Sequence, residues 1–349
     1  MDLTFNSSGI LKRGRGLTYD DVLIVPSKSA VRSRRDPNLT AQLTRRFRGA
    51  LPMISANMDT VTGSDMAIAM RKIGGLGILH RFMSPETQLE EVRRIREAGV
   101  DLIAASIGVT KDERPRAEAL VKEGVHILTI DIAHGHSESM LETLKWLRDK
   151  FSDQIDIIAG NVATPEATSD LIDAGADAIK VGIGPGSMCT TRIITGCGVP
   201  QLTAVAWCSE VARERGAPVI ADGGLRTSGD IVKALAAGAQ SVMLGSLLSG
   251  TLETPGPVHN GRKHYRGMAS KAAQVSWRGE LPEGMAPEGE STSVAVKGHV
   301  KDVVLELAGG LRSGMSYINA NDLNEIPEKA RFIEMSLSGA RESMAHGVK

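Results

Sequence analysis

The feature that most constrains this chain is an alternation, repeated eight times, of a short apolar run and a longer amphipathic stretch. The runs begin at Leu51 (LPMISANMD), Gly75 (GLGILHRF), Asp101 (DLIAASIGV), His126 (HILTIDIAH), Ile155 (IDIIAGNVA), Ala178 (AIKVGIG), Pro218 (PVIADGG) and Gln240 (QSVMLGSLL). Each is almost continuous in apolar or small residues. That is the pattern of a strand covered on both faces, as in a parallel sheet. Between them lie helix patterns with their own start signals. SPETQLEEVRRIREAG opens on Ser84 with acidic or glutamine residues early and basic ones late, which suits capping and the helix dipole. TPEATSDLIDAGA starts at Thr164 with Pro165 in the favoured first turn, and SGDIVKALAAGA starts at Ser228. Eight strand–helix units in roughly 250 residues predict an α/β fold of the (β/α)8 TIM-barrel type. An open doubly wound sheet is the rival, and it needs fewer units.

Two breaks in the rhythm point to function. Strand starts lie 22 to 29 residues apart, except for a gap of 40 between Ala178 and Pro218. After the eighth strand the chain wanders from Gly250 to Gly298 before a helical pattern, KDVVLELAGGL, resumes at Lys301. The chain is therefore read as one barrel domain over 1–349, with a cysteine-bearing loop at 186–200 and a long flap-bearing loop at 250–298. Both follow strands, so both belong on the C-terminal face, where barrels place their active sites. The tail 336–349 is expected to be disordered and is given no role.

Lys plus Arg and Asp plus Glu both total 41, so nothing in the overall charge suggests a nucleic-acid or membrane partner. Aromatics at 3% argue against a base-stacking surface. The basic clusters Lys12–Arg15 and Arg45–Arg48 are read as solvated faces or subunit contacts. No stretch approaches the about 20 apolar residues of a membrane span, and the N-terminus has no signal-peptide core. Three cysteines, Cys189, Cys197 and Cys208, without a framework spacing fit a reducing cytoplasm.

The strand ends carry chemistry. Asp222-Gly223-Gly224 and Gly245-Ser246 end strands seven and eight, where barrels commonly bind phosphate through backbone N–H groups, and GIGPGS adds Ser187 from a third side. Asp222 is placed to accept from sugar hydroxyls. Cys189, in KVGIGPGSMCTTR, then sits beside a phosphosugar site on a glycine-rich loop, the setting of a nucleophile, with Thr191 two residues on. Cys208, among apolar helical neighbours, reads as packing. Asp131, Asn161, Asn57 and Asp59 form a polar rim at the same mouth. His134 and His136 lack the spacing and the third ligand of a metal site.

With these residues in hand, KVGIGPGSMCTTR, SANMDTV, DIAHGHS, IIAGNV, PVIADGG, DIVKALAAGA and VMLGSLL resemble the IMP dehydrogenase and GMP reductase family, and the similarity runs from Leu17 to beyond Gly309. The resemblance implies a cysteine that adds to the 2-position carbon of a purine nucleotide. The dehydrogenase makes that adduct by hydride transfer from IMP to NAD and hydrolyses it. The reductase makes it by expelling ammonia from GMP and reduces it with NADPH. The chain has no room for the CBS modules usual in dehydrogenases, and the segment from Met268 to Glu288 lacks their water-activating Arg-Tyr pair. Both points favour the reductase. AHGHS, GVPQLTA and HYRGMAS look as much like the dehydrogenase, and Arg278 is a candidate substitute for the missing arginine. A dehydrogenase without CBS modules therefore stands as the alternative, and a nucleotide sensor without turnover as a third reading.

The resemblance assigns catalysis to Cys189, Thr191 and Glu288. It assigns substrate binding to Ser55, Met58, Ser187, Asp222, Gly224, Gly245, Ser246, Tyr265, Gly267 and Met268. Asp131, Asn161, Gly182 and Arg81 go to the NADPH (alternatively NAD) side, Arg81 standing where relatives often have lysine. The carbonyls of Gly184, Gly186 and Cys189 are implied as a potassium site, and a homotetramer as the assembly.

Overall fold

All eight apolar runs become strands that close on themselves. The computed structural model describes residues 3–281 and 283–343. The strands are β1 (Met53–Ser55), β2 (Leu76–Leu79), β3 (Ala104–Ile107), β4 (Ile127–Asp131), β5 (Asp156–Val162), β6 (Ala178–Val181), β7 (Val219–Asp222) and β8 (Ser241–Leu244). Neighbours in sequence are neighbours in the sheet and every pairing is parallel. The barrel closes where β8 meets β1, with Val242 opposite Met53. The continuous apolar runs are explained by two-sided burial: Ile54, Ile78, Leu128, Ile158, Ile179 and Val242 are all fully buried.

Eight helices return the chain outside the barrel: α1 (Ser64–Lys72), α2 (Pro85–Glu97), α3 (Glu113–Lys122), α4 (Glu138–Phe151), α5 (Pro165–Asp173), α6 (Gln201–Glu214), α7 (Ser228–Ala236) and α8 (Val300–Tyr317). Their starts follow the sequence signals. Ser84 Oγ accepts from Thr87 N at 3.1 Å and Thr164 Oγ1 from Ala167 N at 3.3 Å. The α7 helix starts at Ser228 as expected, and Thr227 caps it, its hydroxyl accepting from the N–H of Asp230 at 3.2 Å. On α2, Gln88, Val92 and Ile95 form the buried stripe and the charged residues face outward.

The basic clusters are fastened to acids distant in sequence. Arg46 pairs with the buried Asp156 at the start of β5, and Thr44 Oγ1 donates to the same carboxylate at 2.5 Å, so the hairpin of Ala41–Gln42 and Arg48–Gly49 is tied to the bottom of the barrel. Arg13 and Arg15 both pair with Glu334. Glu334 ends the strand Phe332–Glu334, which lies between Thr4–Phe5 and Val22–Ile24 in a small separate sheet.

The 250–298 excursion has structure the sequence pattern did not reveal. Strands Arg262–Arg266 and Ser291–Ala295 pair antiparallel and carry between them a helix, Lys271–Arg278, capped by Ser270. The disorder expected from Ser336 is corrected for its first half: Ser336 caps a short helix, Leu337–Glu342, and residues 344–349 lie outside the described residues. Among the described residues no helix is long and apolar enough to cross a membrane.

Candidate active site

A cleft of about 330 Å³ opens at the C-terminal ends of the strands, a size suited to a small ligand. Two loops far apart in sequence make its catalytic wall. The segment 288–290 lies between the cysteine loop and the residues that follow Arg266. Thr190 N donates to Glu288 O at 3.1 Å, Glu290 N to Met188 O at 2.8 Å, Glu288 N to Ala269 O at 3.0 Å and Gly267 N to Glu290 O at 2.9 Å. These bonds bring together the three residues expected to work as a unit. Cys189 Sγ lies 3.1 Å from Thr191 Oγ1, which donates to Glu288 Oε2 at 2.7 Å. A thiol, a hydroxyl and a carboxylate in one chain form a path along which a proton can move. By contrast, Cys208 is fully buried and burial pushes its thiol up to about 12, which fits the packing role expected of it.

The expected phosphate donors line the same cleft. Gly224, Gly245, Ser246, Ser187 and Tyr265 all line the cleft, and Ser187 Oγ lies 3.2 Å from Tyr265 Oη. Tyr265 is 4% exposed, and burial, with Asp222 nearby, raises its phenol above the usual range. Gly182 is required by close approach. A Cβ there would lie 2.0 Å from the carbonyl oxygen of Asp222, so no other residue lets the ends of β6 and β7 meet this way. Met58, Gly267, Met268, Gly184 and Gly186 also line the cleft. Ser55 does not. It is fully buried at the end of β1, where its hydroxyl accepts from Thr62 Oγ1 at 2.8 Å, so its expected contact with substrate is corrected to a packing role.

The centre of the site is a residue that the sequence reading passed over. Lys180 in β6 is 2% exposed and donates to Asp131 Oδ1 at 2.8 Å, to Asp222 Oδ2 at 2.9 Å and to Asn161 Oδ1. Asn161 Nδ2 in turn donates to Asp222 Oδ2 and to Gly182 O, each at 2.9 Å. Four strands thus meet on one ammonium. Burial alone would lower the lysine, but the two carboxylates raise it and hold it charged. Burial alone would raise Asp131, yet the ammonium of Lys180, helped by Arg81, holds its carboxyl below the usual range. A lysine inside a continuous apolar strand was the available signal, since a charge there needs partners. Asp131 and Asn161, expected to face a cofactor, line the cleft but spend polar atoms on this hub.

Arg81 lines the neighbouring part of the cleft. Its guanidinium lies 4.7 Å from the ring centre of Phe82 and 5.9 Å from that of Trp277, and its buried Nε has no hydrogen-bond partner among the described residues. Trp277 from the helix Lys271–Arg278 meets Phe82 edge-on at 6.0 Å. Arg278 points elsewhere. It is exposed, stacked at 5.1 Å on Trp277, and does not line the cleft. Arg266 fixes this flap to the β1 loop, its Nε donating to Asp59 Oδ2 at 3.0 Å and its Nη1 to Ala272 O at 3.0 Å. In the cysteine loop, Gly186 O accepts from Cys189 N at 3.0 Å, and Arg192 donates to the carbonyls of Ile183 and Val199.

The chain is similar over nearly its whole length to known purine-nucleotide enzymes. An inosine-5′-monophosphate dehydrogenase of Cryptosporidium parvum is 42% identical over 389 aligned positions, covering 96% of both chains. A GMP reductase of Leishmania donovani is 34% identical over 477 positions, covering 95% of this chain and 97% of that one. That alignment is longer than the 349 residues here, so that relative carries segments this chain lacks. A solved GMP reductase of Trypanosoma brucei, in complex with guanosine 5′-monophosphate, superposes with a TM-score of 0.90 at 37% identity, over 99% of this chain and 100% of that one. Residues 16–346 match the family described as "IMP dehydrogenase / GMP reductase domain". The chain belongs to that family of purine-nucleotide oxidoreductases.

Proposed function

We propose that this protein is a GMP reductase that converts GMP into IMP and ammonia at the expense of NADPH. The observation that carries the reading is the make-up of the segment facing Cys189: it delivers Glu288 to Thr191, and its one arginine, Arg278, is exposed and outside the cleft. In the dehydrogenase reading the adduct is hydrolysed by water that a flap arginine activates. With Arg278 outside the cleft, the adduct survives to be reduced.

In this reading the thiolate of Cys189 adds to the 2-position carbon of GMP. The carbon–nitrogen bond to the 2-amino group then breaks, leaving a thioimidate. Ammonia leaves only when protonated, and Thr191 with Glu288 supplies the proton. The reduced nicotinamide, when bound, supplies a hydride to the same carbon. The carbon–sulfur bond then breaks, giving IMP and regenerating Cys189. Asp222 keeps one oxygen on Lys180 and Asn161 and turns the other to the ribose hydroxyls. Gly224, Gly245, Ser246, Ser187 and Tyr265 hold the phosphate, and Met58, Gly267 and Met268 border the base. The unpartnered Arg81 Nε beside Phe82 and Trp277 fits an anionic, flat dinucleotide, so Arg81 and Phe82, with Asp131 and Gly182, would hold the cofactor. The carbonyls of Gly184, Gly186 and Cys189 are donors of the kind potassium takes. The assembly of this reading is a homotetramer, to be read by light scattering.

IMP dehydrogenase activity with NAD is the second reading, favoured by the 42% identity to the Cryptosporidium parvum enzyme. Near-ultraviolet absorbance of the reduced nicotinamide separates them. With GMP and NADPH, loss of absorbance with release of ammonia is expected. A rise with IMP, NAD and potassium, with XMP formed, would overturn the reductase reading.

A further inference from the structure

A nucleotide phosphate carries between one and two negative charges near neutral pH. Burying such a charge without a counter-charge is costly. Yet the groups expected to hold the phosphate are all neutral: the backbone N–H groups of Gly224, Gly245 and Ser246 and the hydroxyls of Ser187 and Tyr265, residues that line the cleft. The cations of the cleft wall are engaged elsewhere. Lys180 is bound to two carboxylates, and Arg81 lies on the aromatic side beside Phe82.

One cation outside the cleft is bonded to the turn that carries Ser246. Lys297 follows the strand Ser291–Ala295, and its Nζ donates to Ser246 O at 2.9 Å and Leu247 O at 3.2 Å. Ser249 Oγ donates to the same Ser246 carbonyl at 2.7 Å, which fixes the plane of that peptide. Because the N–H and C=O of one residue are separated by a single Cα, the ammonium on Ser246 O lies at most about 6–7 Å from the N–H of Ser246. That is inside the screening length at physiological salt. Among the described residues Lys297 has no carboxylate within ion-pair distance. Lys297 is exposed to solvent over much of its length, and partial burial of its ammonium lowers it without an acid among the described residues to offset this. A second lysine makes a useful contrast. Lys263, 3% exposed, donates to the carbonyls of Thr251, Leu252 and Thr254, at the far end of the same turn.

We propose that Lys297 supplies the counter-charge for the nucleotide's 5′-phosphate, acting through the turn that carries Ser246, whereas Lys263 only holds that turn in place. The proposal rests on the cleft taking a purine 5′-nucleotide and not on which reaction follows. The test is the binding of GMP, IMP and guanosine to the full chain, by calorimetry, at low and high salt. Lys297→Met is expected to weaken GMP and IMP on the order of tenfold at low ionic strength. The loss should shrink at high salt, guanosine should be unaffected, and Lys297→Arg should retain affinity. Lys263→Met should lower the melting temperature and weaken GMP and guanosine alike. Equal loss of GMP and guanosine in Lys297→Met, a salt-independent loss, or an arginine variant as weak as the methionine one would overturn the proposal. Failure of the reductase reading leaves this test standing, because GMP and IMP carry the same phosphate. No nucleotide binding by the unaltered protein would overturn both.

Discussion

Replacing Lys180 by methionine removes a charge and keeps most of the volume. The ammonium is 2% exposed and pairs at 2.8 Å with Asp131 and 2.9 Å with Asp222. Taking one partner from a buried ion pair costs about 3–5 kcal/mol, because the remaining charge is left without compensation. For 349 residues the unfolding entropy is roughly 0.7 kcal/mol per degree, so the melting temperature should fall by roughly 4–7 °C. The loss depends on pH in a defined direction. In the unaltered protein the folded Asp131 carboxyl is depressed, so its contribution is present above its unfolded pKa of about 4 and disappears as pH falls through the folded value. In the variant burial dominates and raises that carboxyl, so the folded state takes up the proton more readily. The gap between the two proteins should therefore narrow from about pH 8 to about pH 5. Adding Asp131→Asn removes the uncompensated charge, and the double variant should lose less than the sum of the two single changes. Calorimetric melting across pH reads all of this. A shift under about 1 °C, a gap independent of pH, or strict additivity would refute the hub as an electrostatic unit.

Three further outcomes follow from the site and its surroundings. Thr191→Val and Glu288→Gln should each lower turnover by about 10²–10⁴, and the two together by little more than either, because they serve one proton path; stopped-flow turnover measures it. His80 is 6% exposed and burial lowers it to about 4, while its Nδ1 accepts from Phe82 N at 3.1 Å. Its contribution is complete above the unfolded pKa of about 6.5 and is lost as pH falls toward the folded value, by about 3 kcal/mol in all; urea titrations of His80→Asn should show a flatter decline over that window. Cys208, fully buried and pushed up to about 12, should react with thiol reagents only on unfolding, whereas the exposed Cys197 should react in the folded protein; peptide mapping after labelling decides it.

Much of this molecule was legible along the chain because the barrel is built from near-neighbour units. Two-sided burial writes each strand as an apolar run, and Ser84 and Thr164 announce their helices through local hydrogen bonds. Each strand pairs with the next in sequence, so order in the chain becomes order in space. Glycine-rich strand ends such as Asp222–Gly224 and Gly245–Ser246 marked the mouth for the same reason. The misreadings have a common physical source. Ser55 ends a strand, but nothing local says whether its hydroxyl turns to the cleft or to Thr62. Arg46 looks like a surface charge until Asp156, far along the chain, is placed beneath it.

The sequence by itself determined the repeating architecture, the face that bears the site and the residue types available there, because these depend on period, caps and turn chemistry within a few residues. Only the tertiary structure decided how those residues are spent. It set Glu288 against Thr191 across 97 residues of chain, gathered Asp131, Asn161 and Asp222 onto Lys180, and turned Arg278 out of the cleft. Each of these is a contact between groups remote in sequence. Its energy exists only once barrel closure has brought the strand ends and the two long loops within hydrogen-bonding distance.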